Sequence, residues 1–228
     1  MNIALILAGG TGTRLRRGIP KPFVSVRGRM VITHCLEAVS AHPRIDAIQI
    51  IADEDWRGRI HEEIPKAALG KISGFSKPDS NRQRSIFNGL KMIMPSSERS
   101  DIILIHDATR PLVSKALISS LLKACEKHDG AIPVLPVEDT IYIRNGGCVA
   151  SYHESGTVYT EQTPEAYNLR KYYAALRKLP PEKLDLINDS VEPAILAGMD
   201  LAMVPGDEYN FKVVAPIDLE RLKLFTNT

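Results

Sequence analysis

The sequence predicts a doubly wound α/β sheet, mostly parallel, with helices on both faces and one β-hairpin projecting from it. Short unbroken apolar runs alternate with stretches whose apolar residues recur at helical spacing; the first apolar run ends in a glycine-rich turn, and another ends in a His-Asp pair. Parallel strands covered on both faces by crossover helices read as continuous apolar runs rather than alternating ones. Open sheets of this Rossmann-like kind bind ligands beyond the carboxyl ends of their strands, so the two strand-ending motifs mark where a site is expected.

IALILA at residues 3–8 is the first strand; with six apolar residues, no basic segment before it and glycines after it, it fits neither a signal peptide nor a membrane span. A helix over 31–42 (VITHCLEAVSAH) and a strand over 47–52 (AIQIIA) follow, then a helix over 82–94 and a strand over 101–107 (DIILIHD). Ser114 is placed to cap a helix over 114–128, which leads to a strand over 130–137. ALRKL before Pro180-Pro181, a strand over 201–206, and a helix over 216–225 with Pro216 in its first turn complete the alternation. The interval 139–159 breaks it. Two β-rich segments flank Asn145-Gly146-Gly147, which signals a hairpin, read here as an arm for homodimerisation, with a local edge hairpin as the alternative. A length of 228 residues and the lack of any linker predict one domain over 1–228.

The net charge of +2 is too small to predict nucleic-acid or membrane binding. Basic charge is local: Arg14, Arg16, Arg17, Lys21, Arg27 and Arg29 precede the first acidic residue, Glu37, so an anionic ligand is expected at the N-terminal end. Cys35, Cys125 and Cys148 show neither disulfide nor zinc spacing and are expected to be reduced thiols of a cytoplasmic protein.

LAGGTGTRLRRGIPKPF (7–23) lets backbone N–H groups close around phosphate oxygens, because Gly9, Gly10 and Gly12 remove the side chains that would block them. No Lys-Ser/Thr follows the last glycine, as a Walker loop requires, and the spacing is not that of a dinucleotide fingerprint. Arg14 and Lys21 supply two cations close in sequence, which suits charge spreading over phosphoryl oxygens. Asp107 at a strand tip is a candidate Mg²⁺ ligand, since Mg²⁺ binds through one or two carboxylates plus substrate phosphates. The adjacent His106 is expected to be a packed, hydrogen-bonded residue.

LAGGTGTR…IPKPF, NRQRSIFNGL, ILIHDATRPLV, VEDTI, YTEQTPEAY and YNFKVVAPIDL stand in an order and spacing that resemble the bacterial cytidylyltransferases of polyol phosphates. That family includes the 2-C-methyl-D-erythritol 4-phosphate and ribitol-5-phosphate enzymes, and the resemblance covers residues 3–223. It implies that Leu7, Ala8, Gly9, Gly10, Thr11, Gly12 and Thr13 wrap the triphosphate and part of the base of CTP, with Asp79, Ser80, Arg82 and Ser85 also holding the nucleotide. By the same resemblance, Arg14 and Lys21 stabilise the pentacovalent α-phosphorus, Asp107 binds Mg²⁺, and Lys212 positions the polyol phosphate for in-line attack. Arg110, Thr140, Ser155 and Asn188 would contact the acceptor. The chain departs from the family pattern at Pro78-Asp79, where Gly-Gly is usual, at Ser155, where an arginine reaches across the dimer, and at Asn188, where threonine is usual. The methylerythritol acceptor is favoured over ribitol phosphate; a hexose-1-phosphate nucleotidyltransferase and a non-catalytic nucleotide-binding module remain alternatives.

Overall fold

The computed structural model describes residues 1–10, 18–64, 68, 70–154, 156–187 and 189–226. Seven strands form one path, with an eighth joined at its side. In chain order the site-bearing strands are β1 (Asn2–Leu7), β4 (Ala47–Ile51), β5 (Ile72–Ser76) and β6 (Ile102–Asp107), with β2 (Ser25–Val26) and β3 (Arg29–Met30) forming a separate small pair. They are followed by β7 (Gly130–Pro136), the hairpin β8 (Ile141–Asn145) and β9 (Cys148–His153), β10 (Tyr159–Glu161), β11 (Glu165–Asn168) and β12 (Leu201–Pro205). The main path runs β10-β7-β11-β6-β1-β4-β5, with β12 on β7. β1 pairs in parallel with β4 and β6, as β4 does with β5 and β12 with β7, whereas β11 is antiparallel to β6 and β7, and β10 to β7.

β1 sends side chains alternately to the two faces, as the two-residue period of a strand requires. Ala4 and Ile6 join Ile48, Ile50 and Leu104 on one face, beneath α1 (Val31–Ser40) and its Ile32, Cys35 and Leu36. Ile3 and Leu5 join Ile103 and Ile105 on the other, beneath α3 (Arg82–Ile93), which follows α2 (Glu54–Glu63) in the chain. A second helix lies on each face: α4 (Lys115–Ala124) with Leu117 and Leu121, and α5 (Leu169–Lys178) with Tyr172 and Leu176. Burying an aliphatic side chain is worth about 1.5–3 kcal/mol, so each face alone carries a large part of the stability. Gly89 on α3 lets the helix approach: a Cβ there would stand 2.7 Å from a Leu5 methyl.

The expected strands and helices are present with ends shifted by a few residues. The helix anticipated at ALRKL begins earlier, at Leu169, where Asn168 caps it by accepting the Lys171 N–H. α2, β5 and β11 lie outside the expected set. β5 contains Ser73 and Gly74, which interrupt its apolar pattern, and β11 is four residues long. The hairpin turns at Gly146-Gly147, with Gly146 at φ 58°, but Tyr159 belongs to β10 and pairs with the main sheet. Two short helices, α6 (Pro181–Leu186) and α7 (Glu192–Leu196), precede β12, and α8 (Pro216–Phe225) closes the described chain. No helix among the described residues is long and apolar enough to cross a membrane.

Candidate active site

Leu7 stands opposite both Ile51 and Asp107, so three adjacent parallel strands end level. The chain moves outward from β1 to β4 and β5, then returns to the other side of β1 as β6, and such a reversal opens a crevice at the strand ends. A cavity of about 330 Å³ lies there, with Leu7, Ile51 and Asp107 in its lining. Gly9, Gly10, Lys21 and Pro22 form one wall; Asp79, Ser80, Asn81, Arg82 and Ser85 form another, with Thr109 and Lys212 completing it.

Local sequence explains the placements. Lys21 begins a short turn, Lys21–Phe23, anchored by buried Phe23, whose ring stacks on Trp56 at 4.2 Å. Asn81 caps α3 by accepting the Arg84 N–H at 2.8 Å, and its amide donates to the Leu184 carbonyl, which fixes the helix start where Arg82 projects. Gly9 is demanded by contact: a Cβ would lie 2.3 Å from Pro78 Cβ. Lys212 lies on a segment held by the Val213 N–H to the Thr109 carbonyl and by the Arg110 guanidinium, which donates to the Asn210 carbonyl at 2.7 Å.

Asp107 is the electrostatic centre of the cavity. Lys212 Nζ donates to one carboxylate oxygen at 2.6 Å and Arg82 reaches the other at 3.4 Å. Burial opposes ionisation, but Arg82 and Lys212 outweigh it and hold the carboxyl well below its ordinary range. Burial also acts to weaken the Arg82 charge, and here Asp107 and Glu165 prevail and raise its pKa. The Asp107 N–H donates to Thr163 Oγ1 at 3.1 Å, and His106 Nδ1 lies 3.1 Å from the same hydroxyl. His106 Nε2 lies 3.0 Å from the Arg110 carbonyl, which can only accept, so Nε2 carries the proton and Nδ1 accepts from Thr163. Burial pushes this imidazole down to about 4, which agrees with the packed, hydrogen-bonded role expected of it.

Beyond Arg82 lies a group that the sequence did not disclose. Glu161, Glu165 and Asp189 can bring one oxygen each within 4.8 Å of one another. Glu165 is fully buried and accepts from Ser190 Oγ at 2.6 Å and Tyr167 OH at 2.9 Å, while Arg82 lies 3.6 Å away and also donates to Ser190. Burial, the hydrogen bond to Glu165 and the adjacent negative charge push the Glu161 side of this pair up to about 9, so the pair holds a proton at neutral pH. Glu161 and Glu165 bracket Gln162-Thr163-Pro164; the bond before Pro164 is cis, and only the folded path shows that both acids face Arg82.

Leu7, Gly9, Gly10, Lys21, Asp79, Ser80, Arg82, Ser85, Asp107 and Lys212 are therefore brought to one cavity. Ala8 is buried, with its N–H bonded to the Ile51 carbonyl, and does not line it. The Ser85 hydroxyl is engaged within the wall, donating to the Asn81 carbonyl and accepting the Asp79 N–H. Arg110 lies behind the lining, with a buried Nε that has no partner. Thr140 is exposed at the foot of the hairpin, away from the lining. Thr11, Gly12, Thr13, Arg14, Ser155 and Asn188 lie outside the described residues.

A profile of the IspD family, 2-C-methyl-D-erythritol 4-phosphate cytidylyltransferase, matches residues 2–227. The 2-C-methyl-D-erythritol 4-phosphate cytidylyltransferase of Rubrobacter xylanophilus is 34% identical over 221 residues, covering 95% of this chain and 91% of its own. The ribitol-5-phosphate cytidylyltransferase of Vibrio parahaemolyticus is 30% identical over 230 residues, covering 100% of this chain and 97% of its own. Among solved structures, the 4-diphosphocytidyl-2C-methyl-D-erythritol synthase of Anaerococcus prevotii superposes with a TM-score of 0.82 at 26% identity, covering 98% of this chain and 95% of that one.

Proposed function

Since the chain belongs to the 2-C-methyl-D-erythritol 4-phosphate cytidylyltransferase family, and so to the nucleotidyltransferases, we propose that it moves CMP from CTP to a polyol phosphate and releases pyrophosphate. The observation that carries this reading is one cavity combining a glycine turn, Lys21, Lys212 and an ionised Asp107 at the end of three level strands. The acceptor it favours is 2-C-methyl-D-erythritol 4-phosphate. The full-length alignment with the ribitol-phosphate relative supports ribitol 5-phosphate as the second reading.

The chemistry requires little proton transfer. A phosphate monoester has its second pKa near about 6, so at neutral pH the attacking oxygen is already largely deprotonated. That oxygen forms a bond to the α-phosphorus of CTP as the bond to the β-phosphate oxygen breaks, and pyrophosphate carries away the electron pair. Lys21 and Arg14 would hold the charge that grows on the α-phosphoryl oxygens, while Gly9 and Gly10 offer backbone N–H groups to the phosphates. Lys212 would hold the acceptor phosphate, and Arg110, behind the lining, steadies the Lys212 segment by donating to the Asn210 carbonyl. Asp107 fits Mg²⁺ as a hard oxygen ligand kept ionised, and a bound Mg²⁺ would neutralise phosphate charge between CTP and acceptor.

The reading extends to a homodimer of single-domain chains in the cytoplasm. β8 and β9 pair only with each other among the described residues, and Tyr142, Val149 and Tyr152 are 62%, 68% and 63% exposed. A two-stranded hairpin is marginal alone in water, so a second copy packed on this arm would account for it.

The test is pyrophosphate release with Mg²⁺, for CTP, UTP, ATP and GTP against methylerythritol, ribitol and glycerol phosphates and hexose 1-phosphates. Release with CTP and a polyol phosphate is expected; release only with a hexose 1-phosphate would overturn the acceptor class. Lys21→Ala should lower turnover by about 100-fold or more, the usual worth of a transition-state donor.

A further inference from the structure

Lys21 and Lys212 line one cavity, and the residues around them share one satellite core. Ile19, Val24 and Val26 come from the chain on either side of Lys21, Phe211 and Val213 flank Lys212, and Leu219 and Leu222 come from α8. The two anchorages are unequal. Lys21 is also tied to the main core through Phe23, whose ring stacks on Trp56, whereas Lys212 lies on a stretch without helix or strand that leads into α8. Two contacts carry the position of α8 to that stretch. Asp218 accepts the Val214 and Ala215 N–H groups, both at 2.8 Å, and the Arg221 guanidinium lies 4.1 Å over the ring of Phe211, next to Lys212.

The far end of α8 is fastened by Arg27. Its Nε and Nη2 donate to the Lys223 carbonyl at 3.1 and 3.0 Å, and carbonyls of a last turn lack partners within the helix and favour a cation. Arg27 makes these bonds from a strained position. It and Gly28 form the turn between β2 and β3, both at positive φ, 50° and 78°, where Asn-Gly or Gly-Gly is usual and a long side chain is disfavoured. Among α8 side chains Leu219 and Leu222 are buried, while Ile217 and Leu224 are exposed, so the Arg27 bonds supplement a small packed face.

We propose that Arg27 is a positioning residue for the acceptor side of the site: by holding the end of α8 it holds Lys212 against Asp107. Its effect on turnover rests on the polyol-phosphate reading above; its effect on Lys212 does not. Arg27→Asn keeps a residue that suits the turn and removes the reach to Lys223, and Arg27→Lys keeps the charge. Amine acylation of the full chain, read at Lys21 and Lys212 by mass spectrometry, needs no substrate. Hydrogen exchange over 216–225, the calorimetric Kd for CTP, and KM and kcat with 2-C-methyl-D-erythritol 4-phosphate or ribitol 5-phosphate would be measured in parallel.

Arg27→Asn is expected to raise the exchange rate of α8 and the acylation rate of Lys212 by about 3- to 10-fold, the usual worth of a charged donor at a helix end, and to leave Lys21 unchanged. Acceptor KM should rise by a similar factor with kcat and CTP affinity unchanged, as loss of acceptor binding alone requires, and Arg27→Lys should recover part of each change. Faster exchange in α8 with Lys212 unchanged makes the bonds merely structural and overturns the proposal. Equal acceleration at Lys21 and Lys212, an unchanged acceptor KM, or an equal loss of CTP and acceptor affinity overturns it too. If Lys212 alone is accelerated, yet no acceptor yields pyrophosphate, the transferase reading fails and the positioning role stands.

Discussion

Asp107 and the Glu161–Glu165 pair meet the same guanidinium, Arg82, yet the first is held as an anion and the second retains a proton. The difference lies in how many cations each has. Asp107 has Lys212 as well as Arg82, whereas Glu161 and Glu165 crowd each other and Asp189, with Arg82 as the cation that favours their ionisation. Carboxylates close together cannot all ionise, and burial enlarges that cost. The cavity thus places a ready anion where phosphates and metal are expected and, behind it, an acid pair that keeps a proton.

Glu165→Ala would break the contrast most severely. It removes a buried partner of Arg82 together with the acceptor for Ser190 and Tyr167, and should cost about 3 kcal/mol or more in chemical denaturation. Asp107→Ala acts on the other carboxylate. Turnover should fall by about 100-fold and Mg²⁺ dependence should weaken, whereas an unaltered Mg²⁺ titration would remove Asp107 from the metal site. Ser190→Ala takes away the hydroxyl between Glu165 and Arg82, with an expected loss of about 1–3 kcal/mol read from the denaturation midpoint.

A last effect is one of pH, and its direction separates the two regions. Glu161 rises from 4.5 to about 9 on folding, so its contribution is fully present below 4.5 and is lost as pH climbs toward 9. Glu161→Gln, which cannot titrate, should flatten the stability profile in that window by at most about 1.4 kcal/mol per pH unit. Asp107 behaves oppositely. Its pKa is depressed from 3.8, so its contribution is present above that value and is lost as pH falls below it. Denaturation midpoints from about pH 2 to about pH 9, which reach below 3.8 and through the Glu161 window, distinguish them.

Much of this architecture was legible because the physics is local. Continuous apolar runs marked five strands of the main sheet, and the glycine turn and the HD tip marked its carboxyl edge. β11 escaped because EAYN is short and lies in the sheet through pairings to distant β6 and β7 that no local pattern records. Lys212 and Asp107 were assigned singly, but their contact depends on a chain return of more than a hundred residues. Arg82 was expected to hold the nucleotide; it lines the cavity, and its side chain also ties Asp107 to Glu165 and Ser190, partners set by burial rather than spacing.

The contact of Gly9 with Pro78 has an evolutionary consequence. The atom that a Cβ at 9 would meet is the Cβ of Pro78, which every residue but glycine carries, so a lineage must reach glycine at 78 before it can explore side chains at 9. The two sites form an epistatic pair in which the order of substitutions is constrained. A double-variant library at these positions should contain viable combinations that neither single library reveals.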